Sequence, residues 1–158
     1  MGAKGWRQII DDFQARLESW GAGRRLKVDW PTWWVGPKNR SSRNILLLSG
    51  TTDLLLYVKV SSQEPGFWGL TQNRLRLLQV APHKWFVVLL LGSSETGYLV
   101  PSAEVEHCTG SGVWGLATDG DFKINPSGLS EEFYFPSFDA LIDSLERQMA
   151  SPPALERA

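Results

Sequence analysis

Near the end of the apolar stretch LLLYVKVSS (residues 54–62) stands a lysine, two positions after a tyrosine. Side chains alternate along an extended strand, so Asp53, Leu55, Tyr57 and Lys59 share one face, and Leu54, Leu56, Val58 and Val60 the other. The wholly apolar face must be packed, which leaves the mixed face as the candidate site. A lone ammonium there suits contact with a phosphate oxygen; in the alternative reading Tyr57 covers its alkyl stem and the pair caps the sheet edge. Upstream, RNILLL (residues 43–48) puts Asn44 at the start of a second apolar stretch, and the polar SGTTD between the two is a hairpin signal. Pairing Leu48 with Asp53 predicts Asn44 directly across from Tyr57, their Cβ atoms about 5 Å apart. A slip of one residue would destroy that juxtaposition.

Charge is unevenly distributed. Residues 1–84 hold 13 Lys+Arg against 6 Asp+Glu, and residues 85–158 hold 3 against 11, within a net charge of −1. Arg24, Arg25, Lys27, Lys38, Arg40 and Arg43 cluster with Asp29 as the only acid between them, which predicts either a phosphate-facing surface or a solvated face balanced by the acidic half. In PGFWGL (residues 65–70), Phe67 or Trp68 could stack on a base, while the alternative has Trp68 stapling its loop to the core. WPTWW (residues 30–34) reads as core packing or a dimer contact before it reads as a stacking platform. DGDFKIN offers Asp119, Asp121 and Lys123, but without the glycine and terminal Glu of an EF-hand it predicts a turn into a short strand. Cys108 has no disulfide partner within the chain, and with only His83 and His107 beside it no zinc cluster is expected. GSGVWG lacks the spacing of a phosphate loop or dinucleotide fingerprint, and no serine nucleophile elbow occurs.

The elements that must position these residues follow from hydrophobic period. Trp6, Ile9, Ile10, Phe13, Leu17 and Trp20 recur at helical spacing until Gly21 and Gly23, an amphipathic opening helix. Leu26, Val28 and Trp30 alternate as a half-buried strand, resumed at Trp33 to Val35. The two hairpin strands come next, then a helix in LTQNRLRLLQ with Leu70, Leu77 and Leu78 on one stripe and Arg74 and Arg76 exposed. KWFVVLLLG is apolar throughout and predicts a central strand buried on both faces, adjacent to residues 54–60, with the helix crossing between them. GYLVP adds a strand, residues 106–129 read as irregular with one short strand, and Phe138, Leu141, Ile142, Leu145 and Met149 mark a closing helix. The alternation implies an α/β fold with a mixed sheet. Length and 42% hydrophobic content suit one domain over residues 1–150, with a flexible tail over 151–158.

This order of elements, from about residue 4 to residue 105, resembles the PD-(D/E)xK nuclease superfamily, most closely its archaeal Holliday-junction-resolvase-like branch. The resemblance implies a three-layer restriction-endonuclease-like fold, a central mixed β-sheet flanked by helices. In that family an aspartate early in the second strand and an acid two residues before a lysine in the third bind Mg²⁺, and the lysine helps position the attacking water. Carried over, RNILLL puts Asn44 where the aspartate would be, and YVK puts Tyr57 where the second acid would be and Lys59 where the lysine stands. Asn44 and a neutral tyrosine hydroxyl cannot replace two carboxylates around Mg²⁺. Asp53 lies four residues, about 13 Å, from Tyr57, and Glu18 and Glu64 read as surface charges before they read as replacement ligands.

The expectation is therefore a catalytically degenerate nuclease-like domain, without metal or other cofactor, that binds DNA or RNA or a partner protein as an accessory component. Lys59, Arg24, Arg25, Lys38, Arg40, Arg43 and Trp68 are its candidate contacts. The alternatives are an active Mg²⁺-dependent endonuclease with displaced ligands, and a structural homodimer joined through its aromatic surface. No apolar run approaches the ~20 residues of a membrane helix, and MGAKGWRQII does not resemble a signal peptide, so a cytoplasmic protein without membrane contact is expected.

Overall fold

The computed structural model describes residues 5–31, 44–50, 52–63 and 65–150. Its first element is the helix α1 (Trp6–Ala22), whose buried residues Ile9, Ile10, Phe13 and Leu17 are those of the predicted stripe. The strand β1 (Lys27–Asp29) follows, then the hairpin of β2 (Ile45–Ser49) and β3 (Leu54–Ser61). A short strand β4 (Trp68–Thr71) runs directly into α2 (Gln72–Val80). Next come β5 (Lys84–Leu91), β6 (Gly97–Pro101) and α3 (Ser102–Ser111). The chain continues through β7 (Gly115–Leu116), β8 (Asp121–Ile124) and β9 (Tyr134–Phe135) to α4 (Phe138–Ala150).

Six strands form the central sheet in the order β1-β2-β3-β5-β6-β9. Its neighbours are antiparallel except β3 and β5, which run parallel over their full lengths, Leu54 beside Lys84 through Ser61 beside Leu91. A parallel pair needs a crossover, and β4 with α2 supplies it. Strand alternation then divides the core as expected. Leu54, Leu56 and Val58 pack with Phe86, Val88 and Leu90 beneath α1 and α4. On the other face, Leu55 and Tyr57 pack with Val87 and Leu89 beneath α2, α3 and a second, three-stranded sheet of order β4-β8-β7. The result is a three-layer α/β fold with a mixed sheet between helices, and the two hydrophobic strands lie adjacent at its centre.

Three expectations are corrected. The hairpin pairs Leu48 with Leu54 and Ile45 with Tyr57, one residue away from the predicted register, so Asn44 does not stand opposite Tyr57. Its carbonyl instead accepts the Val58 N–H at 2.7 Å. The second helix starts at Gln72 and buries Leu75 and Leu78; Leu70 belongs to β4 and Leu77 is exposed, because β4 must pair with β8 before the helix can begin. Residues 102–111, read partly as irregular, are helical; only Val105 and Cys108 face the core, too few for a visible stripe. The proposed strand at Trp33 to Val35 and the tail over 151–158 lie outside the described residues.

Candidate nucleic-acid interface

The mixed face of β3 ends in a cluster of polar side chains drawn from four places in the chain. Tyr57 is fully buried, and its hydroxyl accepts the Thr71 N–H at 3.3 Å, where β4 passes into α2. One helical turn on, Arg74 Nη1 donates to Asn44 Oδ1 at 3.2 Å. Asn44 is 7% exposed and stands in a turn just before β2, so strand alternation does not dictate its side chain. It therefore reaches the Lys59 side despite the shifted register. From the second sheet, β8 lies antiparallel to β4, with Asp121 beside Thr71 and Lys123 beside Gly69. A Cβ on Gly69 would stand 3.0 Å from Asp121 Oδ2, so the missing side chain allows that carboxylate close to the strand.

Lys59 is half-buried on the same face of β3 as Tyr57. Burial pushes its pKa down from the ordinary lysine value; the Arg74 and Lys123 cations push the same way, and Asp121 opposes them. Lys123 is satisfied differently. Its ammonium lies 2.7 Å from Asp119 and 3.8 Å from Asp121, and the Asp119 hydrogen bond raises its pKa while the same contact lowers that of Asp119. No described residue accepts a hydrogen bond from Lys59.

Among the described residues, such a donor set does not suit Mg²⁺. The two positions that the resemblance assigns to carboxylates hold a neutral amide bonded to a guanidinium and a buried phenol bonded to a backbone N–H, with two further cations nearby. Among the described residues no group of three or more His, Cys, Asp or Glu side chains could hold a metal ion. Glu18 is exposed on α1, which packs on the opposite face. Asp53 sits at the far end of β3, where it accepts the Gly50 N–H at 3.3 Å and approaches His83 at 3.9 Å. Glu64 lies outside the described residues.

The remaining candidate contacts do not converge on Lys59. Arg24 pairs with Glu146 at 3.3 Å and lies 5.3 Å over the Trp20 ring. Arg24 and Arg25 line a surface depression with Leu26, Gly50 and Met149 near the start of β3. Lys59 is five strand residues further on, about 16 Å, and on the other face. Trp68 is 2% exposed and donates its indole N–H to the Leu90 carbonyl at 3.0 Å, so its predicted stacking role is replaced by the stapling role. Phe67 next to it is 42% exposed. Lys38, Arg40 and Arg43 lie outside the described residues. Sequence reasoning missed Arg74, Asp121 and Lys123 as members of the cluster. The alternation Asp121, Lys123 was a readable signal that two charges share a strand face, with Asp119 in the turn before it, but nothing local shows which strand receives β8.

No family model matches the chain, and no curated protein does. Among solved structures, it is similar to Hjc of Archaeoglobus fulgidus, a Holliday junction resolvase from an archaeal hyperthermophile. The likeness covers 75% of this chain and 84% of that one, at 17% identity and a TM-score of 0.47. Among the described residues no helix is long and apolar enough to cross a membrane.

Proposed function

We propose that this chain is a nuclease-like domain without metal-dependent cleavage, which engages nucleic acid as an accessory component. The observation that carries the reading is the state of Asn44 and Tyr57. Each is buried and bonded within the protein, to Arg74 and to the Thr71 N–H, where a cleaving relative would need two carboxylates. The lysine two residues after Tyr57 remains, and the charges gathered around it favour an anion over a divalent cation. A nucleic-acid backbone is the anion that the order of elements and the basic first half of the chain both favour.

One observation favours a second reading. Asp121 acts electrostatically on Lys59, so a displaced carboxylate does stand in the cluster, although Lys123 shares it. Incubation with Mg²⁺ or Mn²⁺ and linear, branched or single-stranded DNA, or RNA, tests both. The expected result is no cleavage above background, with binding that weakens as salt rises at a slope of about −0.7 to −0.9 per neutralised phosphate. Robust cleavage lost in Lys59→Ala would overturn the reading, and its further loss in Asp121→Asn would establish the displaced-ligand alternative.

A further inference from the structure

We propose that Phe67 is a base-stacking residue and that, together with Lys59, it directs this interface toward nucleic acid with unpaired bases. The proposal deepens the nucleic-acid reading and rests on it for the class of ligand.

The chain on either side of Phe67 is locked in place. Before it, Gly66 has φ +125°, and a Cβ there would stand 2.8 Å from both Leu91 Cδ2 and Trp68 Cη2, a position that glycine alone can take. After it, Trp68 is buried, donates its indole N–H to the Leu90 carbonyl at 3.0 Å and meets the Tyr98 ring nearly perpendicular. Phe67 itself donates its N–H at 2.9 Å to the hydroxyl of Ser61, a buried residue at the end of β3. The side chain between these anchors is nevertheless 42% exposed. Single exposed apolar residues are common, but this one differs in its company. Among the described residues, the other two exposed aromatic side chains have partners: Arg7 lies 5.1 Å over the Trp6 ring, and Tyr98 lies 5.4 Å from Tyr134. Phe67 has neither a ring nor a cation against it.

Ser61 sets where that residue stands. It follows Lys59 by two residues on the same strand face, about 7 Å along β3, so its hydroxyl fixes the Phe67 backbone one such step beyond the lysine. The neighbouring strand gives the same side: Lys59 pairs with Leu89 and Ser61 with Leu91, and both leucines pack in the core beneath α2, α3 and the second sheet. Lys59 forms no hydrogen bond or ion pair with any described residue. A cation without an acceptor and an uncovered aromatic residue, one strand step apart, match the two parts of a nucleotide, its phosphate and its base. A duplex keeps its base faces stacked inside and offers the ring nothing. Every unpaired base has a π face to give, whatever its sequence. Because the backbone on both sides of Phe67 is held beforehand, less ordering accompanies binding.

The test measures fluorescence anisotropy with the full chain in EDTA and three labelled probes: a single-stranded oligonucleotide, the same backbone made of abasic nucleotides, and the matching duplex. Phe67→Ala should weaken single-strand affinity about 5- to 150-fold, the range for one base on an aromatic ring, with an unchanged salt slope. It should leave abasic and duplex binding as they are. Phe67→Tyr should retain single-strand affinity, and Phe67→Leu, apolar but without a π face, should not. Lys59→Met should weaken all three probes and reduce the single-strand salt slope by about 0.7. In the unsubstituted chain, the Phe67 ring protons should move upfield on addition of the single strand and stay in place with the abasic backbone. That measurement keeps the proposal testable if a variant folds poorly. Single-strand binding unchanged in Phe67→Ala, or preserved in Phe67→Leu, would keep the nucleic-acid reading and overturn this proposal. Binding unchanged in Lys59→Met would overturn the pairing of the two contacts. A dimer in sedimentation that Phe67→Ala dissociates would put a second copy on the ring and overturn the stacking role. No association with any of the three probes at low salt would overturn both the stacking role and the nucleic-acid reading.

Discussion

Asn44→Asp is the substitution that separates a guanidinium-centred site from a vestigial metal site. It preserves shape and turns the acceptor of the Arg74 hydrogen bond into a carboxylate. Burying a carboxylate costs several kcal/mol after relaxation. Against this stands attraction to Arg74, about 4 kcal/mol for unit charges 4 Å apart at an effective dielectric of 20. The hydrogen bond itself also strengthens, from roughly 1 kcal/mol for neutral partners towards 1.5–3 for charged ones. Arg74 is already held in place at 3.2 Å, so the pair forms without further ordering and attraction wins by a small margin. The expected result at pH 7 is a gain of about 1 kcal/mol, which raises Tm by about 2–4 °C in a chain of this size.

The sign of the pH dependence follows. Arg74 holds the new carboxyl below its unfolded value of about 3.9, so the gain is fully present above that value and is lost as pH falls through the folded-state value. Urea unfolding at pH 7 and pH 3, with Arg74→Met completing a double-mutant cycle, measures the coupling. Zero coupling, or destabilisation by more than about 1 kcal/mol in the Asn44→Asp chain alone, would refute the Arg74 geometry. The same variant should show no Mg²⁺-dependent rise in Tm. Such a rise would mean that the site accepts a metal as soon as one carboxylate is restored.

Other consequences concern neighbouring groups. Because the Lys59 pKa is lowered, first by burial and then by Arg74, its ammonium is lost below the ordinary lysine range. Affinity for a phosphodiester oligonucleotide should therefore fall as pH is raised from 7, and Lys59→Met should flatten the profile. Trp68→Ala should cost about 3–5 kcal/mol of stability as a core truncation, measured by denaturant unfolding, while Phe67→Ala should leave stability nearly unchanged. Burial, with Glu104 beside it, pushes the Cys108 thiol up to about 11, so alkylation at pH 8 should be slow and should accelerate in urea in step with unfolding.

What could be read from the sequence was whatever is local or strongly patterned. LLLYVKV and KWFVVLLL identify themselves as strands by apolar run and length, and parallel pairing with a helical crossover follows from chain order. The opening and closing helices carry stripes of four buried residues each. The helix at Ser102–Ser111 buries two, so periodicity had little to register. Trp68 to Thr71 looked like the approach to a helix because its strand character depends on pairing with Asp121 to Ile124, some 50 residues later. The hairpin register turned on a single residue. Leu48 takes Leu54 and not Asp53, and the Asp53 carboxylate turns back to the Gly50 N–H inside the connection. The membership of Asn44 in the site survived that error for a different reason: it is reached by a side chain from α2, which no pairing rule describes.

The charge asymmetry of the chain resolves in the same non-local way. The acidic second half returns much of its charge to the basic first half in space: Glu146 meets Arg24, and Glu95 meets Arg16 while also accepting the Phe138 N–H at the start of α4. Those contacts favour the solvated, balanced reading for the basic residues they engage. Lys59 differs from them. No described carboxylate lies within ion-pair distance of its ammonium, and Asp121, which acts on it electrostatically, is engaged by Lys123. A lysine retained only to cover a sheet edge would be better served by solvent or by a partnered acid. Lys59 is held half-buried, with the neighbouring amide and phenol already committed inside the protein, so its ammonium is the group of this cluster whose loss the nucleic-acid assay should register first.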